Sequence, residues 1–195
     1  MLNRDEKIRA ISLERLLPGK SLKDLFAENK DRAVEIAIEV LQKLAQATPE
    51  KKGFPGIEVW FTAFKKAETT VFPSDILYEA QKTLCKLEAL STESRVIHGD
   101  FHHENILSDG REHFRVIDPK GVIGNIGYEI SVFLNNHLKW IENKQDIGIP
   151  VDQFSQAFDI SPRTLKEWVL FSKYRDLDWG ARNWQKHLDC LEIWI

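Results

Sequence analysis

A chain of 195 residues, 43% hydrophobic and 29% charged, can form one domain with a sizeable core, or one domain plus a fragment of a second, and has an ordinary globular composition. Its formal net charge of −3 provides no excess of positive charge to make nucleic acid a default partner, and no apolar run is long enough to cross a bilayer. The polar N-terminus lacks a signal-peptide pattern, and Cys85 and Cys190 lack metal or redox spacing, so a cytoplasmic protein with reduced thiols and no membrane partner is expected.

Lys7 to Leu17 alternates polar and apolar positions and predicts one β-strand, closed by the turn at Pro18-Gly19. Its nearest expected partner is a hairpin far downstream. Ser21 with Asp24 predicts an N-cap pair opening a short helix with Leu22, Leu25 and Phe26 on one face. Asp31 is expected to cap a longer helix in which Val34, Ala37, Ile38, Leu41, Leu44 and Ala45 fall at helical spacing, ending before Thr48-Pro49. Residues 49–57 read as a loop, and Trp60, Phe61 and Phe64 as a short aromatic helix; Trp60 suits either the core or a ligand wall. Pro73-Ser74-Asp75 opens a helix whose Leu77, Ala80, Leu84 and Leu87 form a single stripe.

The central stretch is the most informative. Val96-Ile97, Ile106-Leu107, and Phe114 with Val116 and Ile117 read as short buried strands, and Ser108-Asp109-Gly110-Arg111 as the hairpin turn joining the last two. Asp100 and Asn105 then lie on a loop leaving one strand, and Asp118 where the hairpin ends, together at one edge of a small sheet. Phosphoryl transfer needs such a set. One carboxylate orients a hydroxyl and accepts its proton, while a carboxylate and an amide oxygen hold Mg²⁺ against the phosphates of ATP. The five-residue step from Asp100 to Asn105, with Asp118 beyond a hairpin, matches the spacing of the protein-kinase catalytic loop. Asp100 is thus the expected catalytic base, with Asn105 and Asp118 as metal ligands; an Asp-rich surface loop is the plain alternative. His98, His102 and His103 allow a zinc reading, against which His98 bracing the loop backbone is the more natural role.

After Gly121-Val122-Ile123-Gly124, a helix is expected with Ile130, Phe133, Leu134, His137, Leu138 and Ile141 at helical spacing. A polar loop over 142–150 precedes Ser161-Pro162, which opens a helix with Leu165, Trp168, Val169 and Ser172 inward. A last helix from about Asp178 would bury Trp184, Leu188, Leu191 and Trp194.

His98-Gly99-Asp100-Phe101-His102-His103-Glu104-Asn105 and Ile117-Asp118-Pro119-Lys120 resemble the aminoglycoside phosphotransferase family, most of all its streptomycin and hydroxyurea-resistance kinases. The resemblance implies an α+β, mainly helical fold: a protein-kinase-like large lobe over 20–195, with its catalytic loop within 95–120. Residues 1–19 would be the last strand of a small lobe, otherwise largely missing, and the hinge. There the backbone of Glu14, Arg15 and Leu16 would meet the adenine, unless the segment is an ordinary edge strand. No G-x-G-x-x-G phosphate loop occurs in the chain. Tyr128-Glu129 would open a helix under the active site. Asp176 and Asp178 would face a polycationic acceptor, or else form the solvated face of a helix. An exposed former lobe interface would favour self-association. The function implied is an ATP- and Mg²⁺-dependent phosphotransferase acting on a small-molecule hydroxyl, such as one on streptomycin. The alternatives are a kinase for choline, homoserine or a ketosamine, and a non-catalytic lobe that binds a small molecule or a partner.

Overall fold

The computed structural model describes residues 2–47, 50–61, 74–90, 93–110, 113–138 and 148–179, leaving out the side chains of Asp75, Ile76, Leu90, His137, Leu138 and residues 174–179. Among the described residues the architecture is mainly helical, with three separate antiparallel strand pairs. No described helix is long and apolar enough to cross a membrane.

The chain enters as a small hairpin, β1 (Asn3–Asp5) with β2 (Ala10–Ser12), rather than as the single strand expected over 7–17. The reason is local. The Asp5 carboxylate accepts hydrogen bonds from the Lys7 and Ile8 amides at 2.9 and 3.3 Å, and Arg9 takes φ 52°, so the chain reverses inside the predicted strand. Both strands are exposed, and Ile8, Ile11, Leu13 and Leu17 stand in solvent. It is residues 19–21 that reach the downstream hairpin: Gly19 N–H donates to the Ser108 carbonyl at 3.2 Å, Ser108 N–H to that of Lys20 at 2.9 Å, and Ser21 bridges to Leu107.

Helix α1 (Leu22–Glu28) starts at Ser21, whose N–H donates to the Asp24 carboxylate at 3.2 Å, and it buries Leu22 and Phe26. Helix α2 (Lys30–Gln46) is capped by Asn29, not Asp31. Asn29 has the extended backbone of a cap and its side chain accepts from Arg32 N–H at 3.0 Å, while Asp31 falls in the first turn. Residues 58–61 make a helical turn, with Phe64 outside the described residues, and α3 (Ser74–Leu90) buries Leu77, Ala80, Leu84 and Leu87.

Strands β3 (Arg95–Ile97), β4 (Ile106–Ser108) and β5 (Phe114–Val116) form where expected, and β4–β5 is a hairpin turned at Gly110 with φ 79°. One strand escaped the sequence reading. Residues 122–124 form β6 (Val122–Gly124), antiparallel to β3, so β3 and β6 make a second strand pair around the central stretch in sequence.

Helix α4 (Ile126–Leu138) opens at Asn125, whose Oδ1 accepts from Gly127 N–H at 2.7 Å. Helix α5 (Gly148–Phe158) begins inside the loop expected over 142–150, with Pro150 in its first turn, where a missing N–H costs nothing. Helix α6 (Pro162–Trp179) starts as predicted: the Ser161 hydroxyl accepts from Thr164 N–H at 3.1 Å, and Leu165, Trp168, Val169 and Ser172 are buried. The expected last helix, with Trp184 to Trp194, lies outside the described residues.

Helices α2, α4, α5 and α6 close around one apolar core that takes in Phe101 and Ile106 from the central stretch. A second cluster joins Ile97 and Val122 of the β3–β6 pair to Tyr128, Leu84, Leu87 and Trp168. Each such buried side chain contributes roughly 1.5–3 kcal/mol. Phe133 of α4 ties the loop to the helices, with Phe101, His103 and Phe154 rings at 6.0, 4.1 and 5.4 Å. Phe133→Ala is therefore expected to cost about 3–5 kcal/mol, read from urea unfolding; a loss under about 1 kcal/mol would contradict this anchoring.

Candidate active site

The turn out of β3 allows only glycine. Gly99 has φ +83°, and a Cβ there would lie 3.0 Å from the Trp60 ring and 3.2 Å from Val122. With no side chain in the way, the Gly99 N–H reaches both oxygens of the Glu129 carboxylate, at 2.9 and 3.2 Å. Glu129 is fully buried in the first turn of α4, and burial, with a smaller push from the Asp100 charge, raises its pKa to about 8.

His98 joins the two halves of the site. Its Nδ1 accepts from Asp100 N–H at 3.2 Å, and its Nε2 lies 2.8 Å from the Ile117 carbonyl. An acceptor at Nδ1 leaves the proton on Nε2, so the ring is the neutral Nε2–H tautomer, and burial lowers its pKa to match. Its own carbonyl accepts from Lys120 N–H at 2.8 Å and Gly121 N–H at 3.2 Å. The loop bearing Asp100 and the segment bearing Asp118 are thus fastened to one residue.

A 3₁₀ turn (His103–Asn105) then presents Asn105. The Asn105 Nδ2–H donates to the Asp100 carbonyl at 2.9 Å, and its carbonyl accepts from Ile117 N–H at 3.0 Å. Its Nδ2 also lies 3.1 Å from His102 Nε2. With the amide nitrogen committed to the loop, Oδ1 accepts no hydrogen bond among the described residues and is the atom left for a cation.

Asp118 has φ 57°, a left-handed conformation that a non-glycine residue adopts at a cost, and its side chain is 67% exposed. Lys120 lies between the two carboxylates, its Nζ 2.7 Å from Asp118 and 3.4 Å from Asp100. The hydrogen bond from Lys120 holds the Asp118 pKa below the carboxylate range, and Asp118 in turn raises that of Lys120.

Asp100, Asn105, Asp118 and His98 therefore converge. Two carboxylates and an amide oxygen are hard donors that fit Mg²⁺, whose remaining positions water and phosphate usually fill. The histidines do not make a metal centre: His98 bonds to backbone, and His103 is buried against Phe133 with its ring stacked. No group of three or more His, Cys, Asp or Glu able to hold a metal occurs among the described residues. Glu14 and Arg15 are exposed and Leu16 half-buried, in irregular chain after β2, with no hydrogen bond to this cluster among the described residues. Asp176 and Asp178 fall on the last turns of α6, and their side chains lie outside the described residues. Sequence reasoning missed Lys120 as a neighbour of both carboxylates, although a lysine two residues past a metal-type aspartate was a usable signal. It placed Tyr128-Glu129 at the start of a helix under the site but gave the Glu129 carboxyl no partner, although a lone acid beside the apolar stripe from Tyr128 to Leu134 invites a buried role.

A sequence profile described as aminoglycoside/hydroxyurea antibiotic resistance kinase matches residues 1–183. Streptomycin 6-kinase of Streptomyces griseus is 24% identical over 193 aligned residues, which cover 94% of this chain and 62% of that protein. A solved structure of a choline/ethanolamine kinase family protein from Mesorhizobium loti superposes with a TM-score of 0.66 at 16% identity, over 92% of this chain and 62% of that one. The chain thus spans about three-fifths of the length of both, 62% in each case.

A buried acid with a raised pKa makes stability depend on pH. In the unfolded chain Glu129 ionises near 4.5, whereas in the fold it keeps its proton to about 8. Its contribution is complete below about 4.5 and is lost as pH rises towards 8, by an amount on the order of a few kcal/mol. Glu129→Gln keeps an acceptor for Gly99 N–H and should flatten that slope in urea titrations between pH 5 and 8. Glu129→Ala leaves the N–H unpaired and should cost roughly 1–3 kcal/mol throughout. Wild type and Glu129→Gln giving the same pH profile would contradict the assignment.

Proposed function

This chain belongs to the aminoglycoside/hydroxyurea antibiotic resistance kinase family, and we propose that it is the part of an ATP-dependent phosphotransferase that carries the acceptor-activating and metal-binding residues. The observation that carries this reading is the convergence of Asp100, Asn105 and Asp118, held in place by the two-sided hydrogen bonding of His98. Asp100 orients the acceptor hydroxyl and takes up its proton. Asn105 Oδ1 and the Asp118 carboxylate would hold Mg²⁺, which would supply charge compensation to the phosphate oxygens of ATP. Glu129 acts through Gly99, keeping the loop in register while the exposed carboxylates meet solvent and ligand. In kinase terms we assign 20–195 to a large lobe and residues 1–19, which open as the β1–β2 hairpin, to the end of a small lobe and its hinge, with the backbone of Glu14 to Leu16 meeting the adenine.

The acceptor class we favour is an aminoglycoside-type hydroxyl, such as one on streptomycin. The family match and the relative named streptomycin 6-kinase support it. The choline/ethanolamine kinase likeness, at 16% identity, speaks to fold alone. Asp176 and Asp178 remain the proposed acids facing such a cation. A cytoplasmic setting, where ATP is available, goes with this reading. The second reading is a chain that binds ligand without turnover, and the transfer assay separates the two.

The test is transfer of labelled γ-phosphate from Mg-ATP to streptomycin and to choline, homoserine and ketosamine acceptors. Asp100→Asn should leave acceptor binding intact and lower turnover by about 10²–10⁴-fold. Turnover unaffected by Asp100→Asn would remove the base role, and transfer to none of the acceptors would favour the non-catalytic reading.

A further inference from the structure

Lys120 is the one lysine or arginine recorded within ion-pair distance of Asp100 or Asp118 among the described residues, and it reaches both, at 3.4 and 2.7 Å. Its position is built in rather than incidental. Its N–H bonds to the His98 carbonyl at 2.8 Å, and the following Gly121, at φ 63°, donates to the same carbonyl at 3.2 Å. The Lys120 backbone is therefore pinned to the residue that also positions Asp100. The side chain beyond it is 44% exposed, with a flexible four-carbon stem, so the ammonium can leave without disturbing the loop.

We infer that Lys120 is the resident counter-ion of the Asp100–Asp118 pair, one that a divalent cation must displace in order to bind. The inference rests on the reading of Asp118 as a metal ligand. Two carboxylates within reach of one ammonium repel each other, and Lys120 offsets that repulsion. An incoming divalent cation supplies the same compensation more strongly and competes for the same Asp118 oxygen. Ammonium and metal do not share it. Metal alone must expel Lys120 into water, where the ammonium gains only solvation. Metal arriving with a polyphosphate brings anionic oxygens that can receive the freed ammonium. Lys120 thus disfavours loading by the bare metal and favours loading by the metal–nucleotide complex.

The experiment is a titration of the 195-residue chain with Mn²⁺, following the loss of the free-ion signal by electron paramagnetic resonance, without nucleotide. The proteins are wild type, Lys120→Met, Lys120→Arg and Asp118→Asn, with circular dichroism confirming that each is folded. An exposed ion pair and a nearby like charge each oppose metal binding only modestly, so Lys120→Met should bind Mn²⁺ about three- to ten-fold more tightly than wild type. Lys120→Arg, which keeps the charge, should stay within about two-fold of wild type. Asp118→Asn should weaken binding well below wild type. Lys120→Met binding Mn²⁺ no more tightly than wild type, or not at all, would overturn the inference. The result is separable from the kinase reading. Tighter binding by Lys120→Met with no phosphate transfer by any form would leave the counter-ion role standing and sink the enzymatic one; transfer with unchanged Mn²⁺ affinity would do the reverse.

Discussion

The site depends on one buried contact, the Gly99 N–H held by the carboxylate of Glu129. An unpaired amide in that interior would carry a desolvation penalty of roughly 1–3 kcal/mol, and an ionised acid with nothing facing it would be costlier still. Each group satisfies the other, and burial keeps the acid protonated up to about pH 8. Gly99 is also the residue at which the chain leaves β3 for the loop bearing Asp100, so fixing its amide fixes where that loop begins. From there His98 spreads the constraint, through its ring to Asp100 and Ile117 and through its carbonyl to Lys120 and Gly121.

Burial then divides the labour. Glu129 and His98 are buried and spend their hydrogen bonds on backbone, buried Asn105 commits its Nδ2 to the Asp100 carbonyl and the His102 ring, and the carboxylates of Asp100 and Asp118 stay partly or largely in solvent. The rigid parts are apolar-backed: Phe101 and His103 pack on Phe133, and Ile97 and Val122 on the Tyr128 cluster. The two carboxylates thus sit on a fixed frame without being desolvated themselves, which leaves their charges open to solvent. Strain is kept where it is useful, in the left-handed backbone at Asp118.

Much of this was legible in the residues. The hairpin at Asp109-Gly110 and the apolar stripes of α3 and α6 each follow from local rules, and they hold because packing agrees with them; Asp100 and Asn105 both fall on the loop after β3, as their spacing led one to expect. What was not legible came from contacts distant in sequence or from turns hidden in alternation. The strand 122–124 has only three residues and owes its form to pairing with β3. The N-terminal alternation concealed a reversal made by the Asp5 side chain, and helix α5 begins at a glycine and a proline that read as loop. The link between Glu129 and Gly99 spans thirty positions, and no local pattern encodes it.

Amide hydrogen exchange at Gly99, followed by NMR in the isolated chain, tests the central claim most directly. If the Glu129 carboxylate holds that N–H inside the packed core, Gly99 should exchange only through global opening, with a protection free energy equal to that of the innermost amides of α4 and with the same dependence on denaturant. Exchange of Gly99 through a low-energy local opening, while α4 stays protected, would contradict the account: the catalytic-type loop would then be held by something other than Glu129.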